Sequence, residues 1–531
     1  MRRAKLNATD ILTTLNEESE IDDFSGDDSD FDTTWQPFPK KNAGQSDLSG
    51  SDSDEDQDTL TNNEGNNNNN FDVSLNTNNI EVPTQTSTQS TPNIGWSQMP
   101  FLGVPLPEFN GPQNCIELGS PISYVEKYLP DLHFEEAALY TNMYAFSTKG
   151  KEFRATANEI KVFYGAQALM GIIKYPRFFM YWQRGIALDL ISSAITRDRF
   201  LAIRTHLHFV DVNNRLPNNK SKFWKVQPLI EFVRNACRNI PRSIGLYSID
   251  EQMVPFTGRC PHRQFVKNKP RPAGLKNFVI TTTTGMVLDF ELYQGIETPF
   301  EDRSLGLGPA VILHLSKTIP KESVLFFDRY FTTVPLMNRL NEIGIYATGT
   351  IMQNRLKNVH FSNDKKFERG VWEEFTRADQ KLTAIKWKDS KCVTMVSTTT
   401  GAEPHQIVKR WSKTENKEIN VPCPAVVVSY NKNMGGVDLC NQQIEAYRTW
   451  FKSKKWTVKV AIHFIDLAIV NAWMEYKEDA TKMQIPKKNI KDLMEFKINI
   501  AKEWLSTPIN NKRPNEDENS IDANEEPPNK V

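Results

Sequence analysis

Two short apolar runs in this 531-residue chain each end in an aspartate, and this feature constrains the fold more than any other. The run 246–249 alternates as a buried strand does, and Asp250 follows it. The run 324–327 is wholly apolar and is followed by Asp328. A third carboxylate, Asp438, comes after a glycine pair that marks a turn into a helix. Two carboxylates at strand ends and one at a helix start are the layout of a two-metal site for phosphoryl transfer.

The chemistry of such a site explains the choice of aspartate. Transfer at a DNA phosphodiester develops negative charge on the attacking and leaving oxygens, and two Mg²⁺ ions stabilise both. Mg²⁺ prefers hard oxygen ligands. Like charges about 4 Å apart repel by ~4 kcal/mol at an effective dielectric constant of about 20, so three converging carboxylates predict bound Mg²⁺ or Mn²⁺. For each aspartate alone an ordinary structural role stays open, because strand ends and turns favour this residue.

Three motifs, one around each aspartate, carry a family resemblance. They are Ser-Ile-Asp-Glu-Gln-Met-Val-Pro-Phe at 248–256, Phe-Asp-Arg-Tyr-Phe-Thr-Thr at 327–333 and Tyr-Asn-Lys-Asn-Met-Gly-Gly-Val-Asp at 430–438. In this order they resemble the piggyBac transposase family, and the similarity runs from about residue 120 to 473. The resemblance implies that Asp250, Asp328 and Asp438 are the catalytic triad, with Asp250 bridging two metal ions and the other two holding one each.

The resemblance also implies an activity and its partners. A protein of this family cuts DNA strands at transposon ends with two Mg²⁺ or Mn²⁺ ions, passes through a hairpin and joins the ends at TTAA targets. Its partner is double-stranded DNA, and it acts in the nucleus as a homodimer through its helical region. We therefore expect a metal-dependent DNA transposase.

Two departures from the family pattern keep a second function open. The family has an acidic residue three positions after the third aspartate, whereas this chain has Asn441, expected to be a weak metal ligand. The family usually ends in a cysteine-rich zinc module, whereas no cysteine follows Cys440, so this module is lost, truncated or replaced. The alternative is a domesticated, transposase-derived, sequence-specific DNA-binding protein without transposition. A structural or interaction role through the acidic tail is a third option.

The order of elements predicts an α/β fold. A strand, a hairpin, a strand, a helix and a further strand suit an RNase H-like DDE/DDD catalytic core. The span from the second to the third aspartate, 110 positions, is too long for a loop, which predicts a β-rich insertion with strands at 383–388 and 392–397. Helical spacing flanks this core, and the resemblance assigns dimerisation and DNA binding to that helical domain. The predicted ranges are 105–244 and 448–506 for the helical domain, 245–355 and 424–447 for the core, and 356–423 for the insertion.

Charge is distributed unevenly along the chain. Asp and Glu outnumber Lys and Arg by 14 in residues 1–100 and by 3 in 507–531, so the rest carries +16 within a net charge of −1. Residues 1–98 are acidic and Asn-rich, and both they and 507–531 are predicted to be disordered. A basic body suits a polyanionic partner, although scattered positive charges would give the same total.

Two basic clusters are the candidate DNA contacts. Lys and Arg neutralise phosphates, and the aromatic residues interleaved with the second cluster can stack on bases. For that cluster, the solvated face of a helix is the alternative interpretation. The clusters are Lys267, Lys269, Arg271 and Lys276, and Arg448, Lys452, Lys454 and Lys455.

Cysteine and apolar patterns indicate the compartment. The six cysteines are far apart and form no C-x-x-C pair, which predicts neither a zinc site of paired thiolates nor a disulfide framework. The start of the chain lacks the apolar core of a signal peptide. No apolar run approaches the roughly 20 residues of a membrane span. We expect an intracellular, soluble protein with no membrane partner.

Overall fold

The computed structural model describes residues 94–105, 117–260, 262–266, 271–449 and 453–509. Most of the two segments predicted to be disordered lies outside these ranges, as do Lys267, Lys269 and Lys452. Strand β1, Trp96–Ser97, falls inside the predicted disordered segment but pairs antiparallel with residues 376–377. The prediction is therefore wrong at that end, because these residues complete the edge of a sheet.

The strands form one ten-stranded mixed sheet and one two-stranded sheet within the described residues. The order of the large sheet is β1-β8-β9-β10-β7-β6-β2-β4-β3, with β5 also on β4; β2, β6 and β7 are parallel and the other neighbours are antiparallel. After β1 the bounds are β2 Leu246–Pro255, β3 Gln264–Phe265, β4 Ala273–Thr282, β5 Val287–Leu292, β6 Val324–Phe327, β7 Tyr346–Thr350, β8 Trp372–Arg377, β9 Thr383–Lys388, β10 Cys392–Ser397, β11 Gln406–Ser412 and β12 Lys417–Cys423.

The described helices lie mostly before and after the strands in the chain. They are α1 Pro121–Glu126, α2 Asp131–Lys149, α3 Ala157–Ile172, α4 Asp189–Ser192, α5 Arg197–His206, α6 Gln227–Asn239, α7 Leu307–Ser316, α8 Val334–Glu342, α9 Ala425–Asn433, α10 Gly436–Ala446, α11 Trp456–Lys482 and α12 Leu493–Leu505. Short 3-10 helices lie at Phe178–Trp182, Gly295–Glu297, Gln353–Arg355, Asp364–Lys366 and Lys487–Asn489. Helices and sheet together make a mixed α/β fold.

Alternate residues of β2 pack into different cores, because successive side chains of a strand point to opposite faces. Ile249 is buried in a cluster with Leu315 of α7 and Leu336 of α8. Val254 is buried in a larger cluster with Ile444 of α10 and Phe464 of α11. The large sheet is therefore covered on both faces here. The even-numbered side chains of β2 face the larger cluster, whose helices, α5, α10 and α11 among them, we call the helical layer.

The region predicted as an insertion continues the large sheet. The strands β9 and β10 have the predicted bounds. Strand β10 pairs antiparallel with β7, with Val396 opposite Gly349. Strands β11 and β12 form the separate two-stranded sheet, and Trp387 Nε1 of β9 donates to Pro422 O of β12 at 2.9 Å. An inserted domain stays a prediction, but strands β8, β9 and β10 of this region belong to the same sheet as β7.

Helix α11 corrects the expectation about apolar runs. It has 27 residues and is long and apolar enough, by length and composition alone, to cross a membrane. However, 83% of its most apolar stretch is buried inside the protein. Its buried Asn471 binds the backbone of β5 in both directions, accepting from Val287 N at 2.7 Å and donating to Val287 O at 2.9 Å. The helix is packed in the protein core.

Candidate active site and basic cluster

The register of two parallel strands places Asp250 and Asp328 side by side. Ser248 of β2 pairs with Phe326 of β6, and each aspartate lies two residues further along its strand direction. Neighbouring strands are about 4.8 Å apart, and side chains two residues apart share a face. Strand β2 runs on to Pro255, so the predicted strand end at Asp250 is wrong. Asp250 instead lies within the strand, beside the point where β6 ends.

Local backbone groups orient both carboxylates. Asp250 Oδ1 accepts a hydrogen bond from Glu251 N at 2.8 Å. Asp328 Oδ1 accepts from Tyr330 N at 2.9 Å, and the Asp328 carbonyl accepts from Thr332 Oγ1 at 2.7 Å. One oxygen of each carboxylate is thus held by the motif that contains it.

Asp438 reaches the same side of the sheet through a close helix contact. It lies in the first turn of α10, where the helix dipole favours a negative charge. A Cβ at Gly436 would lie only 2.5 Å from Ser248 Oγ and would also collide with Thr281. The glycine therefore allows α10 to begin directly against β2 and β4. Asp438 itself is exposed.

Tyr430 of α9 shows that the three aspartates share one neighbourhood. Burial raises the pKa of Tyr430, a hydrogen bond with Thr350 at the end of β7 lowers it, and the charges of Asp328, Asp250 and Asp438 raise it further. All three predicted carboxylates therefore lie close enough to Tyr430 for their charges to act on its hydroxyl group. Sequence reasoning missed Tyr430, although it is the first residue of the third motif.

The three aspartates offer carboxylate oxygens, which are donor atoms of the type that a hard cation prefers. Carboxylate oxygens are the ligands that Mg²⁺ and Mn²⁺ prefer. Across the described ranges, no group of three or more His, Cys, Asp or Glu side chains forms a set that could hold a metal ion. The aspartates gather without forming such a set, and their role as ligands stays a prediction. Asn441, the predicted weak ligand, uses Oδ1 to accept a hydrogen bond from Gln252 Nε2 at 2.7 Å.

Lys459 of α11 lies where residues from both predicted DNA-binding clusters meet. Burial lowers its pKa to about 8, with further contributions from the positive charges of Arg271, Arg448 and Arg204. Arg204 belongs to α5 and was missed by the sequence reasoning. We call Arg204, Arg271, Arg448 and Lys459 the basic cluster. Because they come from four separate segments, no local motif could reveal it.

An acidic residue links two members of the basic cluster. Glu445 at the end of α10 forms ion pairs with Arg271 and with Arg448, the latter at 2.7 Å between Nε and Oε2. The Arg448 side chain is only 16% exposed and its Nη1 lies 3.4 Å from His463 Nδ1. Arg448 thus has structural contacts besides any DNA contact, whereas the Arg271 side chain is 52% exposed.

The remaining described candidates lie elsewhere. Lys276 Nζ lies 5.1 Å from the centre of the Tyr330 ring. Lys276 pairs with Met253 of β2, so its side chain lies on the face of the sheet opposite to that of Asp250. Lys454 is exposed, and Lys455 is half-buried at the start of α11. Their contact with DNA stays a prediction.

Comparisons with known proteins define first the class and then the family. Residues 120–473 match the family model described as Transposase IS4, which makes this a transposase-class chain. It is 32% identical over 398 residues to human piggyBac transposable element-derived protein 3, covering 73% of this chain and 65% of that protein. It is 31% identical over 400 residues to human piggyBac transposable element-derived protein 2, covering 73% and 66%. The chain belongs to the piggyBac transposase family and spans slightly less than two thirds of these two relatives.

A solved structure has the same fold. It is the cryo-EM structure of a piggyBac transposase synaptic complex with hairpin DNA. The TM-score is 0.63 at 22% sequence identity, and the match covers 73% of this chain and 80% of that one. This likeness confirms the predicted α/β class.

Proposed function

We propose that this protein is a piggyBac-type DNA transposase that cleaves and transfers DNA strands at transposon ends with TTAA target sites. The observation that carries the proposal is that the register sets Asp250 level with Asp328 and that Gly436 brings the helix of Asp438 against the same strand. Membership of the piggyBac transposase family supports the same reaction.

We infer an RNase H-like core from the strand order around this site. Strands β5, β4 and β2 are antiparallel neighbours, and β6 and β7 follow in parallel to β2. Residues 245–355 and 424–447 would form this core, 356–423 the insertion, and 105–244 with 448–506 the helical domain. The carboxyl end of β6 and the adjoining part of β2 would then carry the reaction site.

Asp250, Asp328 and Asp438 would hold two Mg²⁺ or Mn²⁺ ions. Such ions, when bound, stabilise charge on the attacking and leaving oxygens of the phosphodiester. The strand register keeps Asp250 level with Asp328, and Gly436 brings the first turn of α10 against β2. Lys276, beside Tyr330, would contact a DNA phosphate on the opposite face of the sheet.

We propose that the basic cluster, with Lys454 and Lys455, binds the duplex. The crowding of positive charge around Lys459 supports this, because phosphates would relieve the repulsion. Lys267, Lys269 and Lys452 belong to the same proposal from sequence alone. The similar solved structure is a piggyBac transposase synaptic complex with hairpin DNA. A chromosomal substrate would place the protein in the nucleus.

A homodimer is proposed through the helical domain, and α2 offers a surface for it. Leu132, Leu139, Met143 and Phe146 are each at least 40% exposed. Their spacings of seven, four and three residues put them on one helix face. Leu139→Glu should convert a dimer to a monomer in sedimentation equilibrium, whereas Leu216→Glu, at an exposed position outside α2, should not. A monomeric wild-type protein would contradict this proposal.

The second candidate function is a domesticated DNA-binding protein without cleavage. Asn441, in place of the family's acidic residue, favours it. Terminal inverted repeats flanked by TTAA around the gene would support a mobile element instead.

The discriminating experiment is nicking of a duplex that carries the element's own ends flanked by TTAA. We expect cleavage with Mg²⁺ or Mn²⁺, none with EDTA, and more cleavage by Asn441→Asp than by wild type. Normal DNA binding with no cleavage by either protein would favour the binding function.

A further inference from the structure

Asn441 links the two elements that carry Asp250 and Asp438. It lies three residues after Asp438 on α10, and residues at this spacing share a helix face. Its partner Gln252 lies two residues after Asp250 on β2, on the same face of the strand. The 2.7 Å hydrogen bond from Gln252 Nε2 to Asn441 Oδ1 therefore joins helix and strand directly beside the carboxylates.

The direction of this hydrogen bond is set by a buried network. The Arg448 guanidinium can only donate, so His463 Nδ1, 3.4 Å from Arg448 Nη1, must accept. Burial and the Arg448 charge lower the pKa of His463, so its ring is neutral and carries its proton on Nε2. That Nε2 donates to Gln252 Oε1 at 2.9 Å, and Asn277 Nδ2 donates to the same oxygen at 3.2 Å. Gln252 therefore has its amide nitrogen left to donate to residue 441.

The network requires an acceptor at position 441, and an asparagine side chain has one acceptor atom. Gln252 and His463 are at most 1% exposed, so an unmet donor there would be costly. With Oδ1 directed at Gln252, the other side of the Asn441 amide presents an NH₂ group. An NH₂ group donates hydrogen bonds and cannot ligate a cation.

We propose that Asn441 is a positioning residue rather than a metal ligand: through Gln252 it holds the first turns of α10, with Asp438, against β2, with Asp250. This inference rests on the proposed function, because the purpose of the link is to position the carboxylates of the proposed metal site. An aspartate at 441 would satisfy Gln252 with one oxygen and present a second oxygen where asparagine presents NH₂. The chain therefore keeps the link between helix and strand while lacking the acidic residue.

Amide hydrogen exchange of the full chain tests the positioning role without metal or DNA. Asn441→Ala should exchange about tenfold faster over 436–446, because Gln252 loses its acceptor. Asn441→Asp keeps an acceptor and should exchange like wild type, as should Gln442→Ala at the exposed neighbouring position. Wild-type exchange over 436–446 in Asn441→Ala would overturn the proposal.

A double-variant comparison separates positioning from ligation. Mn²⁺ binding is measured by titration calorimetry without DNA for wild type, Asn441→Ala, Gln252→Met and the double variant. If Asn441 acts only through Gln252, the double variant binds Mn²⁺ within about twofold of the weaker single variant. A further loss of about tenfold on adding Asn441→Ala to Gln252→Met would overturn the proposal. Absence of Mn²⁺ binding by wild type would contradict the proposed function, and hydrogen exchange alone would then decide the positioning role.

Discussion

The carboxylate site and the basic cluster are assembled in different ways. The three aspartates lie within short motifs, and the register of β2 with β6 and the start of α10 bring them together. The four members of the basic cluster come from α5, the segment before β4, the segment after α10 and α11 itself, and packing of the helical layer brings them together. Under the proposed function, this difference predicts a division of labour, with chemistry at the sheet and DNA affinity in the helical layer.

Asp328→Asn should give the largest difference between the two regions, because it should lower cleavage and leave DNA affinity unchanged. Loss of one ligand charge at a two-metal site should lower the nicking rate by about a thousandfold or more, or ~4 kcal/mol of activation free energy. The dissociation constant for duplex DNA should stay within about twofold, because the basic cluster is unchanged. Quantitative nicking and fluorescence anisotropy measure the two effects, with Asp302→Asn in an exposed loop as the control. Equal losses of cleavage and affinity would remove the division of labour.

Replacing Lys452, Lys454 and Lys455 with alanine should weaken DNA binding and leave the carboxylate site unchanged. If all three contact phosphates, the slope of log affinity against log salt should flatten by up to ~3. Lys487→Ala with Lys488→Ala is the matched control, because these exposed lysines follow the far end of α11, about 40 Å along its axis. An unchanged slope in the triple variant would leave its lysines as a solvated helix face.

The pKa of Lys459 gives a smaller effect that depends on pH. Because this pKa is lowered to about 8, Lys459 is charged below pH 8 and neutral above it. Phosphate binding favours the charged form, so DNA affinity should fall between pH 7 and pH 9, by up to about tenfold per pH unit above 8. Lys459→Met should flatten this part of the profile and Lys454→Met should not. Identical profiles for wild type and Lys459→Met would exclude Lys459 from the interface.

The same contrast explains what the sequence could predict. Strand β6 has the predicted bounds because four consecutive apolar residues between turns leave little choice. Apolar residues at helical spacing over 179–186 predict an α-helix, but the structure has a 3-10 helix there, Phe178–Trp182, and Gly185 follows with a left-handed φ of 89°. Periodicity over so few residues did not distinguish the two helix types.

Contacts over long sequence separations account for what the sequence could not predict. Gln252 lies 189 residues from Asn441 and 211 from His463, so their network has no local pattern. The pairing of β10 with β7 likewise depends on tertiary register rather than on either strand's composition. The motifs thus predicted the candidate aspartates, but not the buried network beside them.

Anomalous X-ray scattering from Mn²⁺ in crystals of the protein tests most directly whether Asp250, Asp328 and Asp438 form one metal site. We expect Mn²⁺ bound by carboxylate oxygens of these three residues, with Asn441 still hydrogen-bonded to Gln252. Mn²⁺ held by other side chains, or no Mn²⁺ at this edge of the sheet at saturating concentration, would contradict this expectation.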